Sequence, residues 1–181
     1  MTARDAIVLP GGMYGPHAPL LMYAADAAER RGATIRHISW DDPEGPWRLT
    51  PEGRGPWVLD QFERAVPDVP AGALLIAKSL GTHVAVVAAE RELPAVWLTP
   101  VLTSEFVVDA LRRSTAPFLL VGGTADELWD SGLARELTPY VLEVDGADHG
   151  MYVPGRLAAS AAVLGQTATA VEDFLDQVVW A

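Results

Sequence analysis

The chain has 181 residues, half of them hydrophobic and a fifth charged, which suits one domain with a substantial core. A net charge of −11 without any basic cluster argues against nucleic acid or an anionic membrane as partner. The absence of cysteine excludes disulfides, a thiol nucleophile and thiolate metal sites. No apolar run approaches the roughly 18 residues of a membrane span, and the opening Met-Thr-Ala-Arg-Asp lacks the apolar stretch of a signal peptide, so the expected location is the cytoplasm.

In chain order, short apolar runs alternate with longer amphipathic stretches. The runs are Ala6–Leu9, Thr34–Ser39, Ala73–Ala77, Ala95–Thr99, Phe118–Val121 and Val141–Val144. Most are continuous, as strands buried on both faces of a parallel sheet must be. Helical patterns fall at about 17–31, 57–66, 80–91, 103–113, 127–137 and 155–179. Gly32 marks the end of the first and Pro154 the start of the last. Pro94 and Pro117 each open a strand, where a missing N–H costs little. This β-α alternation predicts a doubly wound α/β domain spanning residues 1–181, with helices on both faces of a six-stranded, mostly parallel sheet. Residues 41–56 hold seven Gly or Pro and neither period, and read as a long loop; as a flap, its apolar contact would be Trp47 or Trp57.

The strand ending at Ala77 runs into Lys78-Ser79-Leu80-Gly81 and then a helix. A tight strand-to-helix turn with a central serine lifts the hydroxyl to the top of a sheet, and requires small residues two positions either side. Here these are Ala77 and Gly81. A serine nucleophile needs a base. His37 lies within a strand and His83 within a helix, whereas His149 stands in the loop after the last strand, on the same carboxyl edge as Ser79. The base needs an acid that selects its tautomer. Asp126 follows Gly122-Gly123-Thr124 after the fifth strand; Glu127, Asp130 and, one strand earlier, Glu105 are the competitors.

Two backbone N–H groups must face the developing oxyanion. One belongs to Leu80, after the nucleophile; the other comes from the glycine loop after the first strand, Pro10-Gly11-Gly12-Met13-Tyr14-Gly15, through Gly12 or Met13. The spacing Gly11-Gly12-x-x-Gly15 does not fit a dinucleotide fingerprint. Lys78, the single lysine beside twelve arginines, has no assigned part: it pairs with a carboxylate, touches an acidic substrate, or is an arbitrary polar residue.

With glycine loop, serine turn, acid and histidine in that order, the chain resembles the α/β-hydrolase superfamily over essentially its whole length, and is similar to its compact bacterial members without a cap domain. The resemblance implies a sheet in the order 2-1-3-4-5-6 whose first strand matches the family's third. It implies Ser79 as nucleophile, His149 as base, Asp126 as its partner, and Leu80 and Gly12 as oxyanion donors. Only 46 residues separate Ser79 from Asp126, too few for an inserted lid. The departures are Ala77 for glycine and Pro10 where many relatives place histidine. The expected activity is cleavage of an ester, or a related acyl bond, of a small substrate through an acyl-enzyme, with no cofactor and no metal. A shallow site lined by Met13, Tyr14, Leu102, Trp129, Met151 and Tyr152 would follow. An acyltransferase or cyclase using the same triad, or a non-catalytic binding module on the same fold, are the alternatives.

Overall fold

A computed structural model describes residues 4–181; Met1–Ala3, the first three residues of the expected domain, lie outside the described residues. Six strands form one sheet: β1 (Arg4–Leu9), β2 (Ala33–His37), β3 (Leu74–Lys78), β4 (Ala95–Leu98), β5 (Phe118–Gly123) and β6 (Val141–Val144). Every pairing is parallel and the order is β2-β1-β3-β4-β5-β6, with Ala6 opposite Leu74, Ala77 opposite Trp97 and Trp97 opposite Leu120. The expected order is thus observed, and the sheet is wholly rather than mostly parallel.

The central strands β3, β4 and β5 are buried along their whole length, which is why their sequences are continuously apolar. Alternate residues serve two cores. Ala6, Val8, Leu74, Ile76, Val96 and Leu98 face α1 (Pro19–Glu29) and α6 (Leu157–Phe174). Ile7, Leu9, Leu75, Ala77 and Trp97 face α2 (Pro51–Ala65), α3 (Ala85–Arg91), α4 (Glu105–Arg113) and α5 (Ser131–Leu137). Arg31, just beyond α1, donates to Asp176 through Nε and Nη2 at 2.6 and 2.7 Å and to Glu172 at 3.1 Å, tying the two helices of the first face together. Among the described residues, no helix is long and apolar enough to cross a membrane.

Several local expectations are corrected. Residues 41–56 are not one long loop: Gly45–Arg48 form a 3-10 turn and α2 begins at Pro51. Proline is preorganised at a first helical position, and Gly55 lets α2 press against the ring of Phe106, where a Cβ would lie 2.9 Å from ring carbons. Tertiary packing therefore outweighs the poor helix propensity of Gly53, Gly55 and Pro56. The segment after Ser79 starts as a 3-10 turn, Ser79–Val84, before α3. Pro154 precedes α6, whose N-cap is Arg156, and Pro94 and Pro117 stand one residue before their strands. Both proline carbonyls still extend the ladder, accepting from Leu75 and Ala95.

Two glycines separate packing from propensity. A Cβ on Gly123 would lie 2.2 Å from the carbonyl oxygen of Ala147, whereas one on Gly165, exposed in α6, would meet nothing within 4 Å. Gly123→Ala should therefore lose about 3 kcal/mol in urea unfolding, since backbone must move. Gly165→Ala should gain about 0.5–1 kcal/mol.

Candidate active site

All six strands end on one edge, and the loops leaving that edge carry every candidate residue. The turn after β3 is the tightest. Ser79 sits at φ 49°, a left-handed conformation that costs a non-glycine residue free energy and persists only when its surroundings impose it. They do so by contact. A Cβ on Gly81 would lie 2.7 Å from the carbonyl oxygen of Pro10, so the chain leaving β1 and the turn leaving β3 touch backbone to backbone. Thr82 donates through Oγ1 to the Ser79 carbonyl at 2.6 Å, closing the turn. Ala77 is completely buried in the core beneath it, where a methyl group fits.

The loops after β5 and β6 are drawn together in the same way. Besides the Gly123–Ala147 approach, Ala125 N–H donates to the Ala147 carbonyl and Gly146 N–H to Thr124 Oγ1. This brings Asp126 and His149 face to face. His149 Nδ1 stands 2.8 Å from Asp126 Oδ2, and His149 Nε2 stands 2.8 Å from Ser79 Oγ. A carboxylate only accepts, so it selects the tautomer with the proton on Nδ1, leaving Nε2 to accept from the serine hydroxyl. The Asp126 side chain is only 1% exposed, while that of His149 is 37% exposed. Asp126 Oδ1 is held by the N–H of Leu128 at 2.9 Å.

The competitors lie elsewhere. Asp130 caps α5 by accepting from Leu133 N–H, Glu127 is exposed, and Glu105 is exposed at the first turn of α4. His83 is buried and donates through Nδ1 to the Leu80 carbonyl; burial pushes its pKa below the usual histidine range. His37, at the end of β2, stacks on His17 with ring centroids 4.3 Å apart.

The glycine loop is pinned from two sides. Gly11 N–H donates to the Tyr14 carbonyl, and the buried Trp40 indole donates to the Gly11 carbonyl, both at 2.9 Å. Gly12 and Met13 N–H have no acceptor among the described residues. Leu80 N–H lies in the first turn of a helix, where donors have no intrahelical partner. The indole of Trp47 covers Gly12 so closely that a Cβ there would lie 2.4 Å from a ring carbon. Of the two tryptophans expected as the flap's apolar contact, Trp47 therefore touches this loop, while Trp57 in α2 packs on Trp40 with centroids 5.4 Å apart.

The expected lining is partly corrected. A cleft of about 260 Å³ opens along the glycine loop and Ser39–Pro43, and Met13 and Tyr14 line it. Tyr152 is exposed on the histidine loop. Leu102, Trp129 and Met151 instead belong to the packed cores. Trp129 lies flat on Gly122 and donates through Nε1 to Glu143 at 2.7 Å, so it supports β5 rather than facing a substrate.

Sequence reasoning missed two residues of this site. Asp148 organises the histidine loop, its Oδ1 accepting from Gly150 N–H and Tyr152 N–H at 2.8 and 2.9 Å. Lys78 is buried beneath that loop, donating to the His149 carbonyl. An Asp immediately before the histidine and a lysine unique in the chain were the available signals. Among the described residues, no group of three or more His, Asp or Glu is placed to hold a metal.

No family model and no curated protein matches the chain. Solved structures do. A protein of the α/β-hydrolase superfamily from Xanthomonas campestris pv. campestris superposes with a TM-score of 0.70 at 20% identity, over 98% of this chain and 100% of its own. The chain adopts the α/β-hydrolase fold. Est1E from Butyrivibrio proteoclasticus, solved with ferulic acid bound, matches with a TM-score of 0.68 at 14% identity, over 99% and 90%. A serine hydrolase without a lid, again from Xanthomonas campestris, matches at 0.58 and 16%, over 96% and 81%. Among the described residues no cap domain is inserted between Ser79 and Asp126, an interval occupied by the 3-10 turn, α3, β4, α4 and β5.

The pinning of the glycine loop is testable by itself. Trp40→Phe leaves the buried Gly11 carbonyl without its donor, a loss of about 1–3 kcal/mol. Amide exchange at Gly11 should accelerate about tenfold or more, while amides of β4 keep their protection.

Proposed function

We propose that the protein is a serine hydrolase that cleaves esters of small carboxylic acids through an acyl-enzyme. The observation carrying this reading is the continuous chain Asp126 Oδ2–His149 Nδ1, His149 Nε2–Ser79 Oγ, with both contacts at 2.8 Å and the serine held at a strained turn. No structural demand requires a strained serine aimed at a half-exposed imidazole. A nucleophile does require it.

In the first step Ser79 Oγ attacks the acyl carbon as its proton passes to His149 Nε2. Asp126 keeps the imidazole oriented and stabilises its cationic form without itself taking the proton. The negative charge on the former carbonyl oxygen is met by Leu80 N–H and by the N–H of Gly12 or Met13, each donor contributing about 3 kcal/mol to the transition state. His149 then gives its proton to the departing alcohol. Water repeats the sequence on the acyl-enzyme, with His149 as base, releasing the acid. The short chain between nucleophile and acid and the small apolar cleft beside the glycine loop favour short acyl groups, because each methylene gains about 0.8 kcal/mol only where it can be buried. That Est1E was solved with ferulic acid fits a carboxylic ester as the substrate class.

A fluorophosphonate probe followed by peptide mapping tests the reading. It should label Ser79 alone, and labelling at Ser39 or Ser104 instead would overturn it. Ser79→Ala should abolish labelling and lower kcat toward p-nitrophenyl acetate by about 10⁶. Asp126→Asn should keep the fold and lower kcat by about 10⁴ through loss of the productive tautomer.

A further inference from the structure

Lys78 takes no part in the acyl transfer just described, yet it is the residue before the nucleophile and only 2% exposed. A buried ammonium needs a partner for each N–H. Lys78 Nζ donates to Thr99 Oγ1 and to the His149 carbonyl, each at 3.0 Å, and lies 4.7 Å from the centroid of the Tyr14 ring. These partners come from three different loops: Tyr14 after β1, Thr99 after β4, His149 after β6. The backbone at the joined points is strained as well. Of the four non-glycine residues with positive φ among the described residues, Ser79 adjoins Lys78, Thr99 (φ 42°) accepts from it, and Met151 (φ 62°) lies in the His149 loop.

We propose that Lys78 is the positioning residue of the site: one ammonium fixes the His149 loop and the glycine loop against the serine turn. The proposal rests on the acyl-transfer reading of Ser79, His149 and Asp126, and adds to it a residue that touches neither substrate nor reacting atoms.

The ionisable groups around Lys78 are Asp126 after β5, Asp148 and His149 after β6, and Tyr14 after β1. Burial outweighs the attraction of the two carboxylates and lowers the Lys78 pKa to about 8. Burial likewise raises that of the Tyr14 phenol, so its ring faces the ammonium uncharged. A neutral amine loses the cation–π attraction and donates more weakly to the carbonyl. Activity should then fall as pH rises through about 8. Stability should move the other way. With the folded pKa below the unfolded one, the unfolded chain binds more protons between these values, so this group's contribution to stability rises across that window. Loss of activity without loss of fold is what a positioning cation produces and what unfolding cannot.

The test compares wild type with Lys78→Met, using p-nitrophenyl acetate and a fluorophosphonate, and follows the downfield Nδ1 proton of His149 by NMR. In the variant kcat should fall about 10- to 100-fold with KM within about twofold, as expected for a misplacement near 1 Å. The labelling rate should lose its decline between pH 7.5 and 9.5, and the His149 resonance should broaden. A folded variant with wild-type kcat and an unchanged resonance overturns the proposal. Should the variant not fold, the wild type alone decides: labelling and a His149 resonance that persist unaltered to pH 9.5 overturn it equally. Absence of any labelling in the wild type would sink the acyl-transfer reading, while the resonance would still report whether Lys78 orders the loop.

Discussion

The backbone contact between Gly81 and Pro10 sets the rest of the site, because two parallel strands leave the sheet there with no side chain between them. In a parallel sheet each strand must hand over to a helix on one face or the other, and β1 and β3 turn toward opposite faces. The chain leaving β3 can fold into its 3-10 turn only by passing under the glycine loop. Any Cβ at residue 81 would push that loop away, and Gly11, packed near the Ser79 side chain, would move with it. The left-handed backbone of Ser79 follows from the same crowding. The fold thereby joins the strain at Ser79, the proposed nucleophile, to the packing of the glycine loop.

Electrostatics imposes a second constraint, and it explains why the site has one more charge than the chemistry uses. Asp126 is almost wholly buried, and an isolated buried carboxylate would raise its own pKa and cease to orient the histidine. Its oxygens are occupied by His149 and by Leu128 N–H, and the field of the Lys78 ammonium reaches it from beneath the histidine loop. Attraction to the carboxylates Asp126 and Asp148 favours the ionised form of Lys78 against its burial. Removing the cation therefore acts on the orientation of the histidine loop, whose His149 carbonyl it holds.

Much of this was legible in the sequence. Continuous apolar runs revealed the central strands, since burial on both faces leaves no polar alternation. Ser79, Asp126 and His149 could be placed because each lies in the turn or loop that follows a strand, and parallel strands end on one edge. What was not legible depends on contacts between distant segments. The α2 start at Pro51 is stabilised by Gly55 against Phe106, a contact that Pro- and Gly-rich composition conceals. Trp129 was expected to line the cleft, but Gly122 opens a flat surface that the indole fills. Lys78 read as an arbitrary polar residue because its partners are a hydroxyl and a carbonyl 21 and 71 residues away. Nothing local marks a lysine as buried.

The same division accounts for a fold shared at 14–20% identity when no family model matches. A strand such as Leu74-Leu75-Ile76 has only to be apolar and of suitable volume on each face, so most core positions accept many residues. The positions with one solution are those where backbones meet: Gly81 under Pro10 and Gly123 against Ala147. Each lies within a few residues of Ser79 or Asp126. Even there the requirement is steric and tolerates a methyl group wherever the core has room, as Ala77 illustrates. A few close approaches can thus fix the geometry of this edge of the sheet while the core around them accepts many residues.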